Sequence, residues 1–111
     1  LHFPDFIFMP GPSIDGCFLE TNGSEFFKET VSLYKLRILN DNPNMANFEF
    51  NSDAFGIKNA VSYPDRYLEP ICDSINLYNP TAKKIVTVNN GIVEKNGNKW
   101  VVLTKAKIKY E

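Results

Sequence analysis

A mostly β domain, with five to seven strands forming a small barrel or sandwich and one short helix, is the fold class this 111-residue sequence predicts. Three observations predict it: strict alternation near the C-terminus, a β-branched run upstream, and an Asn-Gly dipeptide between the two. From Trp100 onward, Trp100, Val102, Thr104, Ala106, Ile108 and Tyr110 alternate with Val101, Leu103, Lys105, Lys107 and Lys109. Successive strand side chains point to opposite faces, so the first set makes one apolar-leaning face. The second set grades from apolar residues into a row of lysines. A helix would bring Lys105 and Lys109 to the side of Val101 and Val102 and leave no clean stripe. Ile85, Val86, Thr87, Val88, Ile92 and Val93 supply the partner strand, rich in side chains that suit a pleated surface. Asn96-Gly97 is the hairpin signal, because both residues tolerate positive φ. A second pair, Asn90-Gly91, falls inside the upstream strand and reads either as another tight turn in a meander of short strands or, the favoured reading, as a bulge that bends one long strand around a barrel.

The remaining elements follow in order. Residues 1–12 form an extended arm, since Phe3, Phe6 and Phe8 partly alternate while Pro4, Pro10 and Pro12 argue against a central strand. Residues 13–111 make a single β-rich domain, enough for one modest core and not for two. Ser13 to Gly16 is a turn and Cys17 to Glu20 a short strand. Thr21 to Ser24 is another turn, where Asn22-Gly23-Ser24 also fits the N-glycosylation pattern. Ser24 offers a helix cap, yet from about Phe27 to Leu39 the chain reads as a strand whose apolar face switches near Leu33. Asn40 to Asn47 is a polar loop that imitates the start of a calcium loop. Met45 and Asn51 stand where that motif needs Gly and Glu, so no metal is expected there. Phe48 and Phe50 mark a short strand, and Ala54 to Ile57 another, with Gly56 as a bend. Pro64-Asp65 opens the short helix, which Pro70 limits. Ile71, Cys72, Ile75 and Leu77 fit either a second helical turn or a strand, and Asn79-Pro80-Thr81 breaks the chain before the hairpin.

Net charge is −1, but its distribution is uneven: residues 1–82 carry five basic and eleven acidic side chains, and residues 83–111 carry seven and two. The lysine row reads first as edge-strand protection against sheet-to-sheet aggregation, and second as a footprint for an anionic partner. No apolar run has the length of a membrane span, and no complete signal peptide is present. A chain beginning at Leu1 reads as a processed product or a trimmed domain. That start, with two cysteines, favours an exported protein (periplasmic or extracellular) over a cytoplasmic one. A disulfide between Cys17 and Cys72 would close a long loop and stabilise the fold by about 4 kcal/mol in the chain-entropy picture. The alternative is two buried thiols packing as small hydrophobes.

Chemistry-bearing motifs are sparse. The lone histidine, His2, sits in the arm, so Ser-His and Cys-His nucleophile systems lack a positioned imidazole. Zinc sites want paired His and Cys ligands, and neither a phosphate loop nor a dinucleotide fingerprint occurs. No cofactor is expected. Asp65, Glu69 and Asp73 recur at four-residue spacing and would share a helical face able to do acid–base work. Pro70 interrupts that helix, which makes surface acids the better explanation.

Trp100 and Tyr110 interleave with Lys99, Lys105, Lys107 and Lys109, and the arrangement Ile85–Ile108 loosely resembles strands of an OB-like barrel. That resemblance implies a nucleic-acid-binding module with stacking platforms and a basic groove. The lysines point away from the aromatic face, however, and the acidic body repels phosphate, so this reading ranks second. First stands a non-catalytic accessory or binding domain whose loops contact a protein or carbohydrate partner, with Tyr63, Tyr67 and Tyr78 as candidate contact residues. A carboxylate-dependent hydrolase ranks third.

Overall fold

A computed structural model describes residues 6–13, 15–29 and 31–111. In chain order its strands are β1 (Phe6–Met9), β2 (Cys17–Leu19), β3 (Tyr34–Ile38), β4 (Met45–Phe50), β5 (Cys72–Ser74), β6 (Ile85–Asn89), β7 (Gly91–Asn96), β8 (Lys99–Thr104) and β9 (Ala106–Tyr110). Two helices, α1 (Ala54–Ser62) and α2 (Pro64–Tyr67), sit between β4 and β5, and a 3-10 turn spans Glu20–Asn22. The fold is mostly β, with 42% strand and 15% helix. A curled six-stranded sheet, ordered β1-β3-β4-β7-β8-β2, forms a half-barrel, and a three-stranded sheet, β5-β9-β6, completes the second layer. This is the small barrel or sandwich the alternation predicts, with more and shorter strands. Among the described residues no helix is long and apolar enough to cross a membrane.

The terminal ribbon is the frame. Its two arms are antiparallel throughout, but the ribbon is shared between sheets: β7 and β8 belong to the large one, β6 and β9 to the small one. Ile85↔Tyr110 and Val93↔Val102 lie in the same register, and two bulges of opposite sense offset each other between them. Val88 is the extra residue on the first arm and Leu103 on the second. Both are exposed, as residues left over by a ladder tend to be. Between the bulges, at Asn90 and Lys105, the ribbon leaves one sheet and enters the other. The bulge expected at Asn90-Gly91 lies instead at Val88, and Asn90 is the break between β6 and β7; Gly91 has a packing reason to be there. It sits opposite Phe48, and a Cβ at 91 would lie 2.1 Å from that ring. The ribbon closes through a two-residue turn, Gly97-Asn98, with Gly97 at φ 65°. Trp100, Ala106, Ile108 and Tyr110 are buried, while Lys105, Lys107 and Lys109 are exposed, as the alternation requires. Thr104 escapes burial because the Leu103 bulge interrupts the period.

The half-barrel encloses an aromatic core. Phe18, Tyr34 and Phe48 meet edge to face with ring centroids 5.3–6.1 Å apart, the arrangement ring quadrupoles prefer, and Phe50 stacks on Tyr34 in the same way. Trp100 lies opposite Phe18 across the β2–β8 pair.

Four local expectations change. The described part of the N-terminal arm, residues 6–12, is not merely laid on the body: β1 joins the edge of the large sheet against β3, and Pro10, which has no N–H, ends it. The strand expected from Phe27 starts only at Tyr34. Between them the chain bonds to itself, with Ser32 N–H donating to the Lys28 carbonyl and Lys28 N–H to Ser32 Oγ at 2.9 Å. Such local bonds compete with a ladder. Residues 54–57 open α1 rather than a strand, because Asp53 accepts from Gly56 N–H at 2.9 Å and caps it. Gly56, Ala60 and Val61 then face the core at helical spacing. Finally, Cys17 and Cys72 are free thiols on strands of different sheets, too far apart to form the disulfide. The helix expected at Pro64 does form, and Cys72–Ser74 is a strand running parallel to β9.

Candidate functional site

At one end of the half-barrel the β1–β2 connection, the 3-10 turn and both helices surround a cavity of about 470 Å³. Its floor is apolar: Met9, Phe18 and Leu33 are all buried. Two close contacts set its wall. The Tyr34 hydroxyl donates to the Tyr67 carbonyl and ties the last turn of α2 to β3. Gly11 lies against the Tyr67 ring so closely that a Cβ would come within 2.6 Å of Cδ1. These contacts aim Tyr67 and its neighbour Arg66 at the cavity. The Arg66 guanidinium rests over the Tyr67 ring, 5.5 Å from its centroid. Asn22 and Asn59 complete the polar rim.

The electrostatics are one-sided. Among the described residues Arg66 is the single charged residue in the lining, and no carboxylate lies in it. Glu20, the acid next to the lining residue Leu19, is held away by Lys95 at 2.7 Å. Among the described residues Arg66 makes no ion pair.

Val31 lines the same cavity from the segment between the 3-10 turn and β3, and that segment also carries Phe26 and Phe27. Phe26 is 76% exposed. Phe27 meets Phe8 edge to face at 5.6 Å, and Phe8 meets Phe6 in the same manner at 5.4 Å. Lys35 stands 4.4 Å from the Phe6 centroid. Phe6, Phe8 and Phe27 thus form a linked strip of rings, with exposed Phe26 next to Phe27 in the chain. The outer edge of β1 is partly closed, because Phe8 exchanges backbone hydrogen bonds of 2.7 and 2.9 Å with Ser24.

The three tyrosines singled out from the sequence fall on three separate hollows. Tyr67 walls the cavity just described. Tyr63 borders a second, of about 420 Å³, with Asp65. Tyr78 borders a third, of about 540 Å³, with Glu69, Asp73, Lys105 and Tyr110. Its hydroxyl donates to the Val61 carbonyl and its ring meets Tyr110 at 5.5 Å. Asp65 is thus separated from Glu69 and Asp73, and no hollow holds the three carboxylates together.

The lysines are distributed among acids. Lys99 reaches Asp15 at 3.0 Å, Lys105 reaches Asp73 at 3.9 Å, and Lys109 reaches Glu111 at 3.5 Å. Lys107 stands across from Asp73 in the β5–β9 register. The Ser13 hydroxyl, followed by Lys99, holds the Asp15 carboxyl down to about 2. Burial pushes the Cys72 thiol up to about 11 and also raises that of Cys17.

Compared with known families, curated proteins and solved structures, the chain matches no family model, no curated protein and no solved structure. The aromatic strip is the feature sequence reasoning missed, because from the sequence Phe27 reads as the start of a strand and Phe26 as the residue just before it. Their signal was two adjacent phenylalanines in a stretch with no period, bracketed by Glu25 and Lys28.

Proposed function

We propose that this chain is a non-catalytic binding domain that contacts a protein partner through the strip formed by Phe6, Phe8, Phe26 and Phe27. The observation that carries the reading is the run of ring contacts from Phe6 through Phe8 to Phe27, with Phe27 39% exposed and its chain neighbour Phe26 76% exposed. Isolated exposed apolar residues are ordinary, but a contiguous aromatic patch marks a contact surface.

The ring geometry favours protein over carbohydrate. A sugar face stacks on a flat ring, whereas Phe6–Phe8 and Phe8–Phe27 are inclined at 77° and 86° and leave notches between ring edges. Such notches suit the aliphatic and aromatic side chains of a protein segment, which anchor most interfaces. Nucleic acid is disfavoured because the terminal lysines already face carboxylates and lie on other strands than the rings. The partner presents apolar side chains and not a β-strand, since Ser24 occupies part of the outer edge of β1.

A photo-crosslinking phenylalanine at position 26, with a control at exposed Leu103, tests this in the cells that make the protein. A discrete protein adduct from position 26 alone, lost when Phe8→Ala and Phe27→Ala are added, is the expected result. Equal adducts from both positions, or adducts removed by glycosidase or nuclease, contradict the reading.

A further inference from the structure

We infer that the cavity walled by Arg66 and Tyr67 binds a small organic carboxylate with a short apolar body. The inference is separate from the protein contact proposed above and rests on different residues. Its first support is charge. Residues 1–82 hold eleven acids against five bases, yet the described lining of this cavity has one guanidinium and no carboxylate. A guanidinium at the mouth of a hollow whose described lining has no acid offers a planar carboxylate two parallel N–H donors, and Arg66 is exposed there and open to an incoming ligand.

Its second support is the division of labour within the lining. Arg66 is pre-positioned on the Tyr67 ring and has no ion-pair partner among the described residues. Asn22 and Asn59 add amide donors on the rim, while Met9, Phe18 and Leu33 form a dry floor. Small-molecule sites are hollows of roughly 300–1,000 Å³ in which a few polar groups converge on the ligand, and here the polar rim contributes more of the exposed lining than the apolar floor does. At about 470 Å³ this one accommodates an aryl or short alkyl body beneath the carboxylate. The hollow at Tyr78 contains Glu69 and Asp73, and the hollow at Tyr63 shares Arg66 with this cavity and adds Asp65.

The test is an NMR titration of the full chain at pH 7 with 3-phenylpropionate, read at the Val31 and Leu33 methyls and the Tyr67 ring. The expected result is saturable shifts at those three residues. The uncharged 3-phenylpropionamide should bind about tenfold or more weakly, and Arg66→Gln should lower affinity for the acid by a similar factor while leaving the spectrum of the core unchanged. Asn59→Ala gives an independent, smaller loss. Phe26→Ala should bind the acid as the parent does, so the two proposals fail separately. No saturable shift, equal binding of acid and amide, undiminished binding by Arg66→Gln, or shifts centred on the terminal lysines would each overturn the assignment.

Discussion

The terminal ribbon, residues 83–111, and the segment 24–33 treat apolar side chains in opposite ways. In the ribbon the pleat turns Ile85, Val93, Trp100, Ala106, Ile108 and Tyr110 inward, and Trp100 ends 2% exposed. In the segment Phe26 stands 76% exposed although it is as apolar as anything in the core. The cause is where the backbone hydrogen bonds go. A strand paired along its length has its side chains sorted by the pleat, and its two bulges offset each other so that the sorting resumes. The segment bonds to β1 at its ends, Ser24 with Phe8 and Leu33 with Met9, and between them Lys28 and Ser32 bond to each other, so its side chains are not sorted. Burial in the ribbon is therefore a folding matter, and exposure in the segment is available for contact.

That comparison can be broken most readily by substitution. Trp100→Ala should cost about 3–5 kcal/mol in urea unfolding, as large aromatic truncations in closed cores do, whereas Phe26→Ala should stay within about 0.5 kcal/mol. Comparable losses at both positions would erase the distinction. Gly91→Ala sharpens it within the ribbon. The new methyl must displace the buried Phe48 ring, and the expected loss is about 1–3 kcal/mol. A neutral result would mean the ribbon and β4 are not pressed together there.

The cysteines give a smaller, chemical test. Burial raises both thiols, Cys72 to about 11, so the native protein at pH 8 should react slowly with a thiol reagent. In denaturant, without reductant, two thiols should be counted. The smallest effect belongs to Asp15, where the folded carboxyl titrates near 2 instead of 3.8. The sign follows from linkage: its contribution is complete above the unfolded value and disappears as pH falls toward 2. Asp15→Asn should flatten the acid limb of a stability–pH curve only between about pH 4 and pH 2, and only slightly, because the pair with Lys99 is exposed.

Much of the ribbon was legible because its information is local. Trp100, Ala106, Ile108 and Tyr110 sit in one register, and period two is readable without knowing what covers them. Helix α1 was less so: Gly56 looks like a bend until Asp53 is recognised as a cap and Ala60 and Val61 as the continuation of one face. The disulfide was open from sequence, since spacing along the chain does not say which sheet each cysteine joins. Of the cavity only Tyr67 was singled out from the sequence. Asn22, Asn59 and Arg66 come from the 3-10 turn and two helices, and only the packing of Gly11 on Tyr67 and the Tyr34–Tyr67 hydrogen bond bring them to one rim.

Urea unfolding of the Phe26→Ala/Phe27→Ala double variant beside the parent, with the position-8 ring as a crosslinking site in both, tests the central claim most directly. Phe27 touches Phe8 and contributes a little to packing, so the midpoint should fall by no more than about 1 kcal/mol equivalent while the protein adduct disappears. A loss above about 3 kcal/mol, with the adduct retained, would place the two rings in the folding core and leave the partner to another surface.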